Sequence, residues 1–118
     1  MRTATIYMIK CNSTGLTYYG STIQRFVDRK SGHRRDYKRW LNNFTRRNGV
    51  KVHKTTACDV MKQNNYYFEI LNEFEIDELD ITKMIQMEAD YIFNNSCVNK
   101  INPLTGKYLC LLETKKVM

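Results

Sequence analysis

Residues 3–20, TATIYMIKCNSTGLTYYG, carry the pattern of a β-hairpin. Residues 3–11 are rich in apolar and β-branched side chains, which favour strands, and residues 12–15 are a cluster of turn formers. The return segment, residues 16–20, is short and aromatic and stops at a glycine. We therefore predict two antiparallel strands that are neighbours in one sheet.

A helix is predicted to follow the hairpin. Ser21 or Thr22 is typical of a helix N-cap, and we expect the helix to continue to about residue 44. Gly32 lies in its middle, where glycine costs about 1 kcal/mol relative to alanine. This cost is easier to understand if the backbone at Gly32 closely approaches another element or a ligand. The apolar positions of this helix are Phe26, Tyr37, Trp40, Leu41 and Phe44.

The second half of the chain predicts one strand and two helices. Residues 57–62 favour a short helix, and residues 66–71 are aromatic and branched, which is typical of a strand. Asp77 or Asp80 can start a helix that runs to about residue 94. Residues 108–112 are apolar and fit either a strand or a docking helix.

Length and composition predict one soluble domain, residues 1–118, inside the cell. A chain of 118 residues supports a single core, and polar residues interrupt every apolar run, as expected of a protein that is neither exported nor inserted in a membrane. The four cysteines are far apart without a Cys-x-x-Cys pair, so we predict neither disulfides nor a zinc site. We expect the protein to be located in the cytoplasm or nucleus of a host cell.

Charge is distributed unevenly along the chain. The net charge is +7; residues 24–56 contain eleven Lys or Arg against two acidic residues, a local balance of +9, whereas residues 68–90 have a local balance of −7. A basic segment of this strength favours contact with nucleic-acid phosphates, although a solvated helix face gives the same pattern. The acidic segment, residues 69–90, is also compatible with a protein-interaction domain that docks a basic partner.

Three sets of side chains carry chemical interest. Glu88 falls on the apolar stripe of its helix, so its carboxylate needs a compensating group, which can be a cation, a hydrogen-bonding network or a metal ion. Arg25, Arg29 and His33 are spaced by four, which stacks them on one helix face where they can point at one phosphate or simply face solvent. Tyr7 and Tyr18 lie on the two arms of the hairpin. Their phenols can meet across the strand pair or pack as ordinary core residues.

In order and spacing, these motifs resemble the GIY-YIG nuclease superfamily over nearly the whole chain. Thr5-Ile6-Tyr7 stands where the family has Gly-Ile-Tyr, and Tyr18-Tyr19-Gly20 stands for Tyr-Ile-Gly. The run from Thr17 to Thr22, followed by Arg29 and by Gly32-His33-Arg34, is similar to small stand-alone members from large DNA viruses. Glu88 with Tyr91-Ile92 resembles the metal-binding glutamate motif, and Cys97-Val98-Asn99-Lys100 resembles the closing asparagine motif. Thr5 and Tyr19 depart from the family pattern without removing a reactive side chain.

The resemblance implies an α+β fold, a three-stranded antiparallel sheet flanked by helices, and hydrolysis of DNA phosphodiesters to 5′-phosphate and 3′-hydroxyl ends. The resemblance implies that Tyr7 is the general base and that Tyr18 orients the attacking water or the phosphate. Arg29 would hold the scissile phosphate, His33 would assist by hydrogen bonding, and Glu88 would bind one Mg²⁺ or Mn²⁺. The residues expected to contact DNA, duplex or branched, or to support the site are Arg25, Arg34, Arg35, Lys38 and Asn99.

Two alternatives accompany this interpretation. A nucleic-acid-binding module on the same fold, without catalysis, would use the basic segment and its interleaved Tyr37 and Trp40. Oligomeric state stays open, since cutting both strands with one active site favours either a homodimer on DNA or sequential nicking. The site specificity of cleavage is not encoded in any second domain, zinc finger or helix-turn-helix signature of the sequence.

Overall fold

The fold was described from a computed structural model of the chain, which describes residues 2–42, 56–77, 79–100 and 102–105. These residues form three strands and three helices, and the α+β class predicted from the sequence is confirmed. Their bounds in chain order are β1 Arg2–Cys11, β2 Thr17–Thr22, α1 Phe26–Leu41, α2 Cys58–Met61, β3 Tyr66–Ile76 and α3 Thr82–Asn94.

The strands form the predicted three-stranded antiparallel sheet in the order β2-β1-β3. The β1–β2 hairpin sets Tyr7 opposite Gly20 and Ile9 opposite Tyr18. Because side chains on one face of a sheet recur every second residue, Tyr7 and Tyr18 lie on the same face as diagonal neighbours. The pairing of β1 with β3 shifts register between Ile6 and Tyr7, as at a β-bulge.

Helices cover both faces of the sheet, and each face has its own apolar core. Odd-numbered side chains of β1 pack with α1 and α2, around Tyr7, Ile9, Tyr37 and Met61. Even-numbered side chains of β1, Ala4 and Ile6 among them, pack with β3 and α3 on the opposite face. Strand β1 is central and buried on both faces, which explains its nearly continuous apolar sequence.

The start of α1 was predicted too early. Ser21 and Thr22 still belong to β2, where they pair with Ile6 and Thr5, and the helix begins at Phe26 with Arg25 at the N-cap. The hydroxyl of Thr22 does accept a backbone hydrogen bond, but from Gln24 at 3.0 Å, in a turn that precedes the helix. Thr22, a residue typical of helix caps, therefore stabilises a turn instead, because strand pairing with β1 holds its backbone in the extended form.

Other boundaries differ to a smaller extent. Strand β3 continues to Ile76, five residues beyond the predicted end at residue 71, because the bulge brings residues 72–76 back into pairing with β1. Helix α3 begins at Thr82, and the Asp80 carboxylate accepts a hydrogen bond from its backbone N–H at 3.1 Å. Helix α1 ends at Leu41. Phe44 and the predicted element at residues 108–112 lie outside the described residues.

Helices long and apolar enough to cross a membrane are not found among the described residues.

Candidate active site

Tyr7 occupies the centre of the candidate site, on the face of β1 that packs under α1. Its side chain is 1% exposed, and the residue opposite it on β2 is Gly20. A Cβ at position 20 would lie 2.5 Å from the Tyr7 hydroxyl oxygen and 2.6 Å from the ring carbon that bears it. The Tyr7 ring therefore lies directly over the Gly20 backbone, and only glycine leaves that space.

Two side chains of α1, one turn apart, meet the Tyr7 hydroxyl. The Nε2 atom of His33 lies 2.7 Å from the Tyr7 oxygen, and the Arg29 Nε–H donates to the same oxygen over 3.2 Å. With the Arg29 bond directed into the phenol oxygen, the phenol O–H is free to donate to a neutral His33 Nε2. The predicted spacing of Arg29 and His33 on one helix face is confirmed for these two residues.

Burial keeps this pair of groups neutral. It raises the pKa of the Tyr7 phenol well above its usual value, with a further contribution from Tyr18, while Arg29 acts in the opposite direction. Burial, and then the nearby charge of Arg29, lower the pKa of His33 to about 4. At neutral pH the site therefore holds a phenol and an uncharged imidazole rather than a phenolate and an imidazolium.

Tyr18 closes the same side of the site. Its ring meets the His33 ring edge-on, with centroids 5.6 Å apart. Burial, and then the Glu88 carboxylate, raise the pKa of the Tyr18 phenol, and Arg29 opposes this shift. The predicted approach of the hairpin tyrosines is thus found as a diagonal arrangement that places Tyr18 between His33 and Glu88.

Glu88 reaches the site from α3, on the other face of the sheet. The hydroxyl of Ser21, at the end of β2, donates to its Oε1 atom over 2.5 Å. Burial raises the pKa of the Glu88 carboxyl, and the Ser21 hydrogen bond and the Arg29 charge only partly oppose this. Within the described part of the chain, no cationic side chain forms an ion pair with Glu88. The carboxylate is thus partly buried without a direct counter-ion.

Tyr18, Arg29, His33 and Glu88 line one cleft of about 330 Å³, and the buried Tyr7 lies behind its wall, bonded to His33 and Arg29. Because β2 is an edge strand, side chains from both faces of the sheet can meet beside it, which brings Glu88 of α3 next to Arg29 of α1. Arg29 and Lys100 supply two positive charges and Asp36 and Glu88 two negative ones, so the formal charges cancel when all four are ionised. The cleft is lined by Tyr18, Arg29, His33, Asp36, Thr56, Ala57, Glu88, Asn99, Lys100 and Pro103.

Asn99 also borders the cleft, but its amide is committed to the protein backbone. Its Oδ1 accepts from the Tyr19 N–H at 3.0 Å, and its Nδ2 donates to the Tyr19 carbonyl at 2.7 Å. The side chain thereby imitates a neighbouring strand along the outer edge of β2. The structure gives Asn99 a supporting position in the site, since one donor and one acceptor of its amide are bonded to the Tyr19 backbone.

Arg25 does not share the helix face of Arg29 and His33, and of the two alternatives open for it, facing solvent is the one observed. Arg25 lies at the N-cap with an extended backbone, and its guanidinium pairs with Asp28 at 2.9 Å on the surface. It lines a second groove, together with Arg2 and Arg35, that does not include the cleft residues. The helical spacing rule fails here because residue 25 precedes the first helical turn.

The remaining basic residues of α1 lie on the surface. Arg34, Arg35 and Lys38 are exposed, and the Arg34 guanidinium lies over the Phe68 ring, 5.5 Å from its centroid. Gly32 is buried, but a Cβ there would meet the Arg29 side chain only at an ordinary 3.6 Å. The expected close backbone approach at Gly32 is therefore not found within the described residues.

Sequence reasoning missed three residues of the site. Ser21 was interpreted as a helix cap, Asp36 as one of two acids in a basic segment, and Lys100 only as part of a motif. Asp36 follows His33 by three and Arg29 by seven, so the helical period could have placed it on the same face. No comparable local signal predicts Ser21 or Lys100, which reach the site through tertiary contacts.

A metal ion could be held here by Glu88. No three His, Cys, Asp or Glu side chains converge in the part of the chain that the structure describes, so a closed protein cage is not formed there. The donor is a hard carboxylate oxygen that lacks a cationic partner among the described residues, which suits an ion such as Mg²⁺ that keeps several waters.

Comparisons of the chain with protein-family models, with curated proteins and with solved structures find no match.

Proposed function

We propose that this protein is a metal-dependent DNA endonuclease with a GIY-YIG fold, which hydrolyses phosphodiester bonds to 5′-phosphate and 3′-hydroxyl ends. The observation that carries the proposal is that Tyr18, Arg29, His33 and Glu88, from three elements, line one cleft, while Tyr7 of a fourth element lies behind the cleft wall, hydrogen-bonded to His33 and Arg29. These are the five residues on which the sequence resemblance rests. Two strands and two helices bring them together although they are up to 81 positions apart.

The hydrogen bonds support a role for Tyr7 in proton transfer. A phenol with a raised pKa is a poor phenolate, so Tyr7 acts best by accepting a proton from water while passing its own proton to His33 Nε2. The water oxygen then bonds to phosphorus, and the bond from phosphorus to the 3′ oxygen breaks. His33 can accept the proton because it is uncharged and lies 2.7 Å away.

Arg29 is suited to bind the scissile phosphate. Its Nε–H is used in the bond to Tyr7 and its guanidinium also faces Tyr18, but the planar group carries five N–H donors, more than these two contacts need, in a fork that matches phosphate oxygens. Its position beside Tyr7 would hold a phosphate within reach of the proton-accepting phenol. Tyr18, on the cleft wall beside His33, would orient the attacking water or the phosphate.

Glu88 would hold the Mg²⁺ or Mn²⁺ ion that the fold family implies. When bound, such an ion supplies positive charge that stabilises the leaving oxygen. The formal charges of the described lining residues cancel without it, so these residues by themselves offer little net attraction to a phosphodiester. Ser21 orients the Glu88 carboxylate through its hydrogen bond.

DNA is the proposed partner because α1 presents exposed basic residues outside the cleft. Arg25, Arg34, Arg35 and Lys38 supply sequence-independent contacts to phosphates flanking the scissile one. A purely binding module would use Tyr37 and Trp40 as a stacking platform for bases. Tyr37, however, is on the face of α1 that is buried in the core, and Trp40 packs against that core. Tyr37 therefore cannot stack on a base without unfolding.

The experiment that tests the function is cleavage of supercoiled plasmid and of branched DNA in Mg²⁺ or Mn²⁺. We expect nicking or cutting by the intact protein and none by Glu88→Ala, with DNA affinity largely retained. Product ends that accept a ligase without further processing would show the 5′-phosphate and 3′-hydroxyl. Salt-sensitive binding of DNA without cleavage in any metal would replace the nuclease proposal by the binding module.

A further inference from the structure

The segment after α3 is attached to the outer edge of β2. The Val98 N–H donates to the Thr17 carbonyl at 2.8 Å, and the Asn99 amide makes two hydrogen bonds with the Tyr19 backbone. Three hydrogen bonds therefore hold residues 98 and 99 against the strand that carries Tyr18. This attachment fixes where the next residue, Lys100, leaves the strand edge.

Lys100 lines the cleft, with an exposed side chain. Among the described residues that line the cleft, two carry a positive charge, Lys100 and Arg29. Removing Lys100 would leave one arginine against the carboxylates of Asp36 and Glu88, a formal charge of −1 in a cleft proposed to accept a phosphodiester. Lysine carries a compact ammonium on a flexible stem, so it can follow a phosphate without fixed geometry.

We propose that Lys100 is a second phosphate-binding cation of the cleft, held in place by Asn99, so that the DNA backbone is bound there by Lys100 together with Arg29. This inference rests on the proposed nuclease function. Asn99 then acts as a positioning residue, which explains why its amide is spent on the Tyr19 backbone while it borders the cleft.

The test compares Lys100→Ala and Lys100→Arg with Lys62→Ala, an exposed lysine at the end of α2. We expect Lys100→Ala to lower kcat/KM for DNA cleavage about tenfold, and to reduce the slope of log affinity against log salt by about 1 when turnover is stopped with chelator. Lys100→Arg should retain most of the activity, and Lys62→Ala should match the intact protein.

A double-mutant cycle tests the role of Asn99. If Asn99 acts by placing Lys100, Asn99→Ala lowers kcat/KM and the salt slope, and adding Lys100→Ala changes them little further. Independent effects that multiply would overturn the positioning role. Thermal unfolding of each variant confirms that the fold is intact, and a variant that does not fold is replaced by Asn99→Ser.

The outcomes separate this inference from the function on which it rests. If the intact protein cuts DNA but Lys100→Ala leaves kcat/KM and the salt slope unchanged, the role of Lys100 is overturned and the nuclease proposal stands. If the intact protein neither binds nor cuts DNA, both are overturned.

Discussion

The hydroxyl of Tyr7 lies 2.7 Å from Nε2 of His33, in a buried contact between residues 26 positions apart. Burial pushes the two pKa values apart, upward for the phenol and down to about 4 for the imidazole. A free phenolate is therefore disfavoured, and the short hydrogen bond to His33 provides a route along which Tyr7 can release its proton while it accepts another. This relationship is the structural basis for assigning the general base.

The space above Gly20 is tested by Gly20→Ala. A Cβ at 2.5 Å from the Tyr7 hydroxyl must displace a ring that is packed and hydrogen-bonded, so we expect a loss of about 1–3 kcal/mol in the free energy of unfolding and a large loss of activity. Urea unfolding and plasmid cleavage measure both.

Gly32→Ala is the matched control for that substitution. Its Cβ would meet the Arg29 and Arg35 side chains only at ordinary distances of 3.6 and 3.8 Å, and alanine is the better helix former, so we expect a gain of about 1 kcal/mol in stability with activity kept. A Gly32→Ala variant less stable than the intact protein would contradict the helix packing described.

Tyr7→Phe removes the hydroxyl while keeping the ring. We expect turnover to fall by at least about a hundredfold, because the proton acceptor is lost, and stability to fall by about 1–3 kcal/mol, because His33 Nε2 loses its buried partner. Single-turnover cleavage and DNA affinity, measured side by side, should show loss of rate with binding retained. Tyr91→Phe, which loses only an exposed hydrogen bond from Asn72, should leave turnover unchanged.

His33 makes stability depend on pH. Its folded pKa is about 4, below its ordinary value of 6.5, so the folded state binds this proton less tightly than the unfolded state does. Stability is therefore fully present above pH 6.5 and is lost as pH falls towards 4, by up to about 3 kcal/mol. Across this pH window, the free energy of unfolding should change less with pH for His33→Gln than for the intact protein. Equal slopes for the two proteins would show that His33 is not buried as described.

Glu88 makes stability depend on pH in the opposite direction to His33. Its pKa is raised in the folded state, so the ionised carboxylate destabilises the fold at pH values above the raised pKa. We expect Glu88→Gln to raise the Tm by a few degrees at pH 8 in chelator, with the difference vanishing below pH 4. Glu69→Gln, at an exposed position of β3, is the control. A lower Tm for Glu88→Gln at pH 8 would mean that Glu88 serves stability through an ion pair.

Local patterns predicted the hairpin, a third strand and the two long helices, whereas the three-stranded sheet was implied by the family resemblance. The positions of Tyr7 and Tyr18 on one face followed from the two-residue period of the strands. The N-terminal end of α1 was misplaced because Ser21 and Thr22 are good caps and equally good strand residues, and only their pairing with β1 decides between these roles.

Long-range contacts account for the rest. The bulge in β3 reverses the alternation after Leu71, so residues 72–76 resemble an acidic loop in the sequence. Asn99 contacts Tyr19 across 80 residues, and Ser21 contacts Glu88 across 67, distances at which no sequence period operates. A lone carboxylate on an apolar stripe did predict that Glu88 needs a compensating group, but not which one.

The most direct test of the nuclease proposal is the cleavage of plasmid and branched DNA by the intact protein and by Glu88→Gln, in Mg²⁺ or Mn²⁺ and in excess chelator. The intact protein should cut only with the metal, and Glu88→Gln should not cut although its fold is at least as stable. Undiminished cleavage by the intact protein in chelator, or by Glu88→Gln in metal, would contradict the proposed role of the cleft.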